Sequence, residues 1–323
     1  MSLPLAFACG SYDRTNALRT GEVKPEGIDL EYVAIEASRD IFDRFVGKGE
    51  FDCAELSASE FIRNHDAGDD TFVAVPYFPS RAFRHGFIFV NAKGPVRKPK
   101  DLEGKRIGVG LWTQTAAVWI KGHLENDFGV DLSGVQWVQG AIEKPGPHGN
   151  PVTRPLLKQV DITENESPYS IADLLARGEI DAFIAARRAP NFGSNPDIAR
   201  LFTDYRAIEH DLYARAKIHP VMHLLAIRRS AYEKNPWIAK SLYDSFVKAK
   251  DHALEHMRVT ITQSTMFPWH ISEYEEIEKL MGGDPWPCGI EPNRSTLEAL
   301  TLYMQQQHMI SKRMKIEDLF IPV

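Results

Sequence analysis

The stretch "DLEGKRIGVGLWTQTAAVWIKGHL", Asp101 to Leu124, decides the fold. Arg106 to Val109 reads as a strand, a short turn follows, and a helix begins at about Thr115. Ala117, Ile120, Leu124 and Phe128 fall on one face of that helix. The turn itself, Leu111-Trp112-Thr113-Gln114-Thr115, concentrates two hydroxyls and an indole where a helix leaves its N–H groups unpaired.

The same strand–turn–helix grammar recurs outward in both directions. Leu3, Leu5, Phe7 and Cys9 alternate as a strand, and Ile28 to Ile35, Phe51 to Leu56, Phe72 to Phe78 and Gly86 to Val90 read likewise. A Gly/Pro linker over Asn91 to Lys100 precedes the opening stretch. Beyond it, Val135 to Val138, Ile180 to Ala185 and Ile218 to Ile227 are strands, with a helix over Ile171 to Arg177. Residues 140 to 169 read mostly as loop, and the chain from Ala231 onward as mostly helical. Such alternation predicts parallel sheets covered on both faces, in two lobes. Ligands of such sheets bind beyond the carboxyl ends of the strands. Polar clusters fall at those ends: Ser11 to Thr15, Glu55 to Ser59, Trp112 to Thr115, and Arg187-Arg188. Their repetition predicts one cleft between the lobes.

A chain of 323 residues suits two lobes rather than one core. Hydrophobic residues at 43% and charged residues at 25% describe an ordinary globular protein. The net charge of -6 disfavours nucleic acid and anionic membrane as partners. Cys9, Cys53 and Cys288 are too few and too widely spaced for a disulfide framework or a zinc site. "MSLPLAFACG" lacks a basic signal-peptide start, and no run of 18 apolar residues occurs, so a cytoplasmic protein is expected.

"DLEGKRIGV" and "LLARGEIDAFI" resemble the second lobe of the periplasmic-binding-protein-like fold of type II topology. That resemblance implies a two-lobed α/β architecture with two chain crossings and a helical C-terminal part. Residues 1–91 plus 226–323 would form one lobe and 92–225 the other. "YDRTNALRTGEVKPEGIDL", "FDCAELSASEF", "FPSRAFRHGFIFV", "TAAVWIKGHL", "IHPVMH", "DPWPCGIEPNR" and "IEDLF" resemble the 4,5-dihydroxyphthalate decarboxylase family in order along nearly the whole chain. Cys288 stands where an aromatic residue is expected in that family. The resemblance implies decarboxylation of a hydroxylated aromatic carboxylate, such as 4,5-dihydroxyphthalate to protocatechuate, without cofactor or metal. A small aromatic carboxylate is then the partner, with a homo-oligomer possible. The competing expectation is a solute-binding protein of a transporter for an aromatic carboxylate, sharing the cleft without the chemistry.

Aromatic decarboxylation needs a proton donor at the ring carbon, an acceptor at the phenol, and cationic or N–H donors for carboxylates. His219 and His223, four apart on a predicted strand, would face one side and carry proton transfer, His219 being favoured over His223; the alternative for either is a hydrogen-bonded core histidine. Arg81 and His85 of "SRAFRH" are favoured over Arg84 for a carboxylate and a proton. In "SYDRT", Asp13 and Thr15 read as helix caps, whereas Arg14 has no capping role and points to substrate. Glu55, on an apolar strand, is either the phenol base or the holder of an arginine such as Arg14, and Ser57 sits in the same polar strand end. Thr113, Thr115 and the helix N–H groups would hold a carboxylate beside the flat face of Trp112. Arg188 or Arg187 would grip a second one. Trp269, His270 and Trp286 read as packing residues of the C-terminal helices.

Overall fold

A computed structural model of the chain describes residues 2–152, 154–261 and 265–323. In chain order the strands are β1 (Leu3–Cys9), β2 (Ile28–Ala34), β3 (Cys53–Ser57), β4 (Phe72–Arg81), β5 (Ile88–Asn91), β6 (Arg106–Val109), β7 (Gln136–Gln139), β8 (Ile162–Glu164), β9 (Ala182–Ile184), β10 (Ile198–Arg200) and β11 (Val221–Arg228). They form two sheets, of order β2-β1-β3-β11-β4 and β10-β5-β9-β6-β7-β8. The first belongs to a compact unit made of the residues up to Arg81, Tyr213–Leu297 and Met314–Val323. The second belongs to a unit made of Ala82–Leu212 and Glu298–Arg313.

Both sheets are mixed, where alternation alone predicts parallel ones. In the first unit β1 runs parallel to β2 and β3, but β11 is antiparallel to β3 and β4. In the second, β6 runs parallel to β7 and β9, but β5 is antiparallel to β9 and β10. The intruding strand in each sheet enters from outside the βα run, so no crossover helix holds it to the parallel direction.

Strand pairing also moves the boundaries. β5 hydrogen-bonds to β9 and β10, so Ala82 to Asn91 belongs to the second unit rather than to the first lobe as expected. β11 lies wholly in the first sheet, which brings Tyr213 to Leu225 into the first unit. The C-terminal segment Glu298–Arg313 returns to the second unit. A helix at Tyr205–Ala216 stands where sequence periodicity assigned no element.

The first core packs Phe7, Val75, Tyr77 and Leu225 of the sheet against Leu242, Phe246 and Ala249. Those last three lie on one face of the helix Ile238–Arg258, at the spacing that buries one stripe. In the second unit, Phe89, Phe183, Ile171, Leu175 and Ile198 pack together. There the helix Thr115–Asn126 meets Tyr303 at Gly122, where a Cβ would come within 2.1 Å of the tyrosine ring. Among the described residues, no helix is long and apolar enough to cross a membrane.

Candidate active site

The carboxyl ends of β1 and β3 and the start of β11 bring Glu55, Tyr12 and His223 together in the first unit. In the β3–β11 ladder, His223 stands opposite Ser57 and Leu225 opposite Glu55. Glu55 and His223 are therefore diagonal neighbours on one face, within side-chain reach. Against β4 the register of β11 shifts on both sides of His223. Such irregularities re-aim a side chain. Here His223 Nδ1 lies 2.7 Å from Glu55 Oε2. The Glu55 side chain is 0% exposed and that of His223 15%.

A carboxyl group buried to that degree needs donors. Glu55 has three: the Gly10 N–H at 2.8 Å, the Tyr12 hydroxyl at 3.0 Å and His223. Burial, and then the charge of Glu55, raise the Tyr12 phenol above its ordinary range, so it stays a neutral donor. Gly10 makes the arrangement possible: a Cβ there would lie 2.9 Å from the tyrosine ring. Phe42 meets the His223 ring edge-on at 4.9 Å between centroids. Ser57, buried, caps the helix Ala58–Asp66, its Oγ accepting from the Glu60 N–H.

Arg14 does not pair with Glu55, which corrects one of the two roles expected for that carboxyl. Its guanidinium lies between two rings, 4.1 Å from the centroid of Tyr12 and 4.2 Å from that of Trp286. Its Nε donates to the Pro79 carbonyl at 2.6 Å, and it pairs with Asp13 at 3.0 Å. Tyr12 occupies the cap position of the following helix and offers no side-chain cap; Asp13 and Thr15, expected as caps, lie inside the helix, where Asp13 Oδ1 accepts from the Arg14 N–H at 2.7 Å and the Thr15 hydroxyl donates to the Tyr12 carbonyl at 3.2 Å.

Arg81 ends β4 and is buried. One of its terminal nitrogens donates to the Pro287 carbonyl at 2.9 Å and to Asn293 Oδ1 at 2.6 Å. Among the described residues its Nε has no acceptor and no carboxylate pairs with it. Burial lowers this guanidinium to about 10. It therefore remains a cation at neutral pH, and a cation lacking its own counter-ion suits an anionic ligand.

His219 precedes β11 instead of lying on it, so the shared-face argument for His219 and His223 fails. Its backbone N–H donates to Thr296 Oγ1 at 3.1 Å, and its ring meets Trp286 edge-on at 5.4 Å. Burial, and next Arg81, push its imidazole well below the ordinary range. A neutral His219 can hold a hydrogen bond but is a poor proton carrier at neutral pH.

The other expected residues belong to the second unit. His85 is buried there; Glu209 Oε1 accepts from its backbone N–H at 3.0 Å and lies 3.5 Å from its Nδ1. Its ring lies 4.8 Å from that of His123, whose Nδ1 is 2.7 Å from Asp127 Oδ2. His85, His123 and Asp127 form a close group of metal-ligating types, with ligand atoms within 4.8 Å of one another. Asp127 bonds the His123 ring directly, whereas the hydrogen bond from Glu209 reaches the backbone N–H of His85 and not its imidazole. Arg84 donates to the Ala186 carbonyl at 2.6 Å, and burial lowers it to about 10. Thr115 begins its helix and is buried; Thr113 lies in the turn before it. The face of Trp112 expected to stack on a ligand carries Lys121, whose Nζ lies 3.0 Å from the ring centroid. Arg187 and Arg188 are both exposed: Arg187 lies 3.5 Å from Glu143, and Arg188 donates to the Phe192 carbonyl at 2.6 Å.

Sequence reasoning missed Tyr12, Trp286 and Asn293. Trp286 donates its Nε1–H to the Phe78 carbonyl at 2.9 Å, and Asn293 donates to the carbonyls of Pro287 and Gly289. The stretch "DPWPCGIEPNR" thus builds the support for Arg14 and Arg81. Its length and turn-forming residues were the available signal, but nothing in it names the residues it meets.

No family model matches the chain. The chain is 33% identical over 321 residues to the 4,5-dihydroxyphthalate decarboxylase of Comamonas testosteroni, covering 99% of this chain and 97% of that protein. It is 35% identical over 212 residues to the Pseudomonas putida protein of the same name, covering 65% of this chain and 81% of that one. Among solved structures, the putative sulfonate-binding protein of Methylobacillus flagellatus aligns at a TM-score of 0.57 and 14% identity, covering 99% of this chain and 92% of that one. The aliphatic sulphonate binding protein of Escherichia coli aligns at 0.54 and 13% identity, covering 100% and 93%. These likenesses show the fold, two-lobed and periplasmic-binding-protein-like.

Proposed function

The chain belongs to the 4,5-dihydroxyphthalate decarboxylase family of carboxy-lyases, and from that membership we propose that it decarboxylates 4,5-dihydroxyphthalate or a close relative by protonating the ring, without a cofactor.

The chemistry sets the requirement. Direct loss of CO2 would leave an aryl carbanion in the ring plane, where no π system delocalises it. Protonation of the carbon bearing the carboxylate comes first and breaks aromaticity. The hydroxyl para to that carbon feeds electron density into the ring. The C–C bond to the carboxylate then breaks, its electron pair restores the aromatic ring, and CO2 leaves.

The observation that carries this reading is the 2.7 Å contact between His223 Nδ1 and Glu55 Oε2. A carboxyl group on Nδ1 fixes the imidazole's tautomer and orientation. Nε2 is then the nitrogen that delivers the proton. Tyr12 and the Gly10 N–H hold Glu55 in place, so Glu55 serves His223 rather than acting as a base toward the phenol. Arg14 and Arg81 supply the cationic groups that the substrate's carboxylates require. Trp286, on which the Arg14 guanidinium lies, keeps that cation in position.

The test is incubation of the purified protein with 4,5-dihydroxyphthalate and related aromatic acids, with CO2 and the decarboxylated phenol measured. Turnover that survives exhaustive EDTA treatment is expected. Binding without CO2 release would remove the proposed reaction, and activity lost to EDTA and restored by a divalent ion would remove its cofactor independence.

A further inference from the structure

The second unit contains a cavity of about 220 Å³ that no step of the proposed reaction uses. Its walls include Trp112, Lys121, Glu125, Trp137 and Gln307. Trp112, Lys121, Trp137 and Gln307 are each 5% exposed or less. A cavity wall so buried would ordinarily satisfy its polar atoms within the protein. Among the described residues this one leaves three without a protein partner: Trp112 Nε1, Glu125 Oε2 and Gln307 Oε1. The Gln307 amide nitrogen donates to the Val118 carbonyl at 2.9 Å, which settles the end of that amide left over as the acceptor. Lys121 Nζ donates to the Trp112 carbonyl at 2.8 Å.

The remaining groups are one donor that can only donate, an amide oxygen that can only accept, and a carboxyl. A hydroxyl can both accept from an indole N–H and donate to a carbonyl or carboxyl oxygen. Trp137 adds an aromatic wall against which a ring can pack. The ionisable lining disfavours an anion. Glu125, Asp131 and Asp161 stand against Lys158 and Lys121, and burial drives the Lys121 amine well below its ordinary range. We propose that this cavity is a binding site for an uncharged monocyclic phenol, held by Trp112 Nε1, Gln307 and Glu125.

The probe is catechol, uncharged at neutral pH, with benzoate as its anionic counterpart. Each is titrated calorimetrically into the full-length protein and into the variants Gln307→Leu and Glu125→Leu. Saturable catechol binding to the unaltered protein is expected, weakened by about tenfold or more in either variant, as loss of a buried hydrogen-bond partner implies. Benzoate binding is expected to be much weaker and indifferent to both changes. Decarboxylase turnover should be unaltered in both variants. Catechol held only at another site would give the same isotherm in all three proteins and overturn the proposal. So would no catechol binding at all, or benzoate bound equally well. Glu125 is less buried than Gln307, so Glu125→Leu keeps the test decisive if Gln307→Leu fails to fold. None of these outcomes depends on which acid the enzyme decarboxylates.

Discussion

His223 and Glu55 are joined Nδ1 to Oε2 at 2.7 Å across the β3–β11 ladder, at a point where β11 shifts register against β4 on either side of the histidine. An imidazole anchored on one nitrogen by a fully buried carboxyl has its other nitrogen available for a proton in transit. Replacing His223 with Asn should therefore lower kcat by at least roughly a hundredfold, on the ordinary scale of positioned acid–base groups. Far-UV circular dichroism and thermal unfolding should stay close to the parent. A variant of parental turnover would exclude His223 as the proton carrier.

His219 leads to the opposite expectation for chemistry and a specific one for stability. Burial holds its folded-state value below the ordinary one, so the unfolded chain takes up its proton first as the pH falls. The fold is then favoured at pH above about 6.5 and loses that contribution as the medium becomes more acidic. Unfolding midpoints in urea measured from pH 8 to pH 5 should show a decline that is shallower in His219→Gln. Equal slopes would mean that the imidazole is not held neutral. The same variant should keep the parental shape of the pH–rate profile.

Two buried arginines allow a comparison. Arg81 lacks a carboxylate partner among the described residues, whereas Arg84 is tied to the Ala186 carbonyl in the second unit. Arg81→Met should raise KM by about tenfold or more, the scale of a charge-assisted hydrogen bond, while Arg84→Met should act mainly on the melting temperature. Steady-state kinetics and calorimetry on the two proteins separate these outcomes. An unchanged KM in Arg81→Met would remove it from substrate binding.

Gly10 is where a single methyl group tests the whole arrangement. A Cβ there would sit 2.9 Å from the Tyr12 ring, whose hydroxyl bonds Glu55 and whose face carries Arg14. Gly10→Ala should displace the ring and cost turnover and affinity together, with a stability loss of roughly 1–3 kcal/mol from overpacking. If kcat and KM both stay parental, Tyr12 has no part in positioning Glu55 or Arg14.

The alternation of strands and helices, the helical C-terminal part and the two-lobed class were legible in the residues. Hydrophobic periodicity is local, and each element declares itself within about ten positions. Glu55 was also legible, because a carboxyl amid Phe51, Cys53 and Leu56 must find donors wherever it goes. Strand direction was not, since β5 and β11 pair with partners far away in sequence, and an antiparallel insertion leaves the apolar pattern unaltered. The argument that put His219 and His223 on one strand failed for the same reason. Both sit in one apolar run, and only the ladder fixed where β11 begins and which of the two faces Glu55. Chemical need can be read one residue at a time, but the partner that meets it is chosen by pairing and burial across the fold.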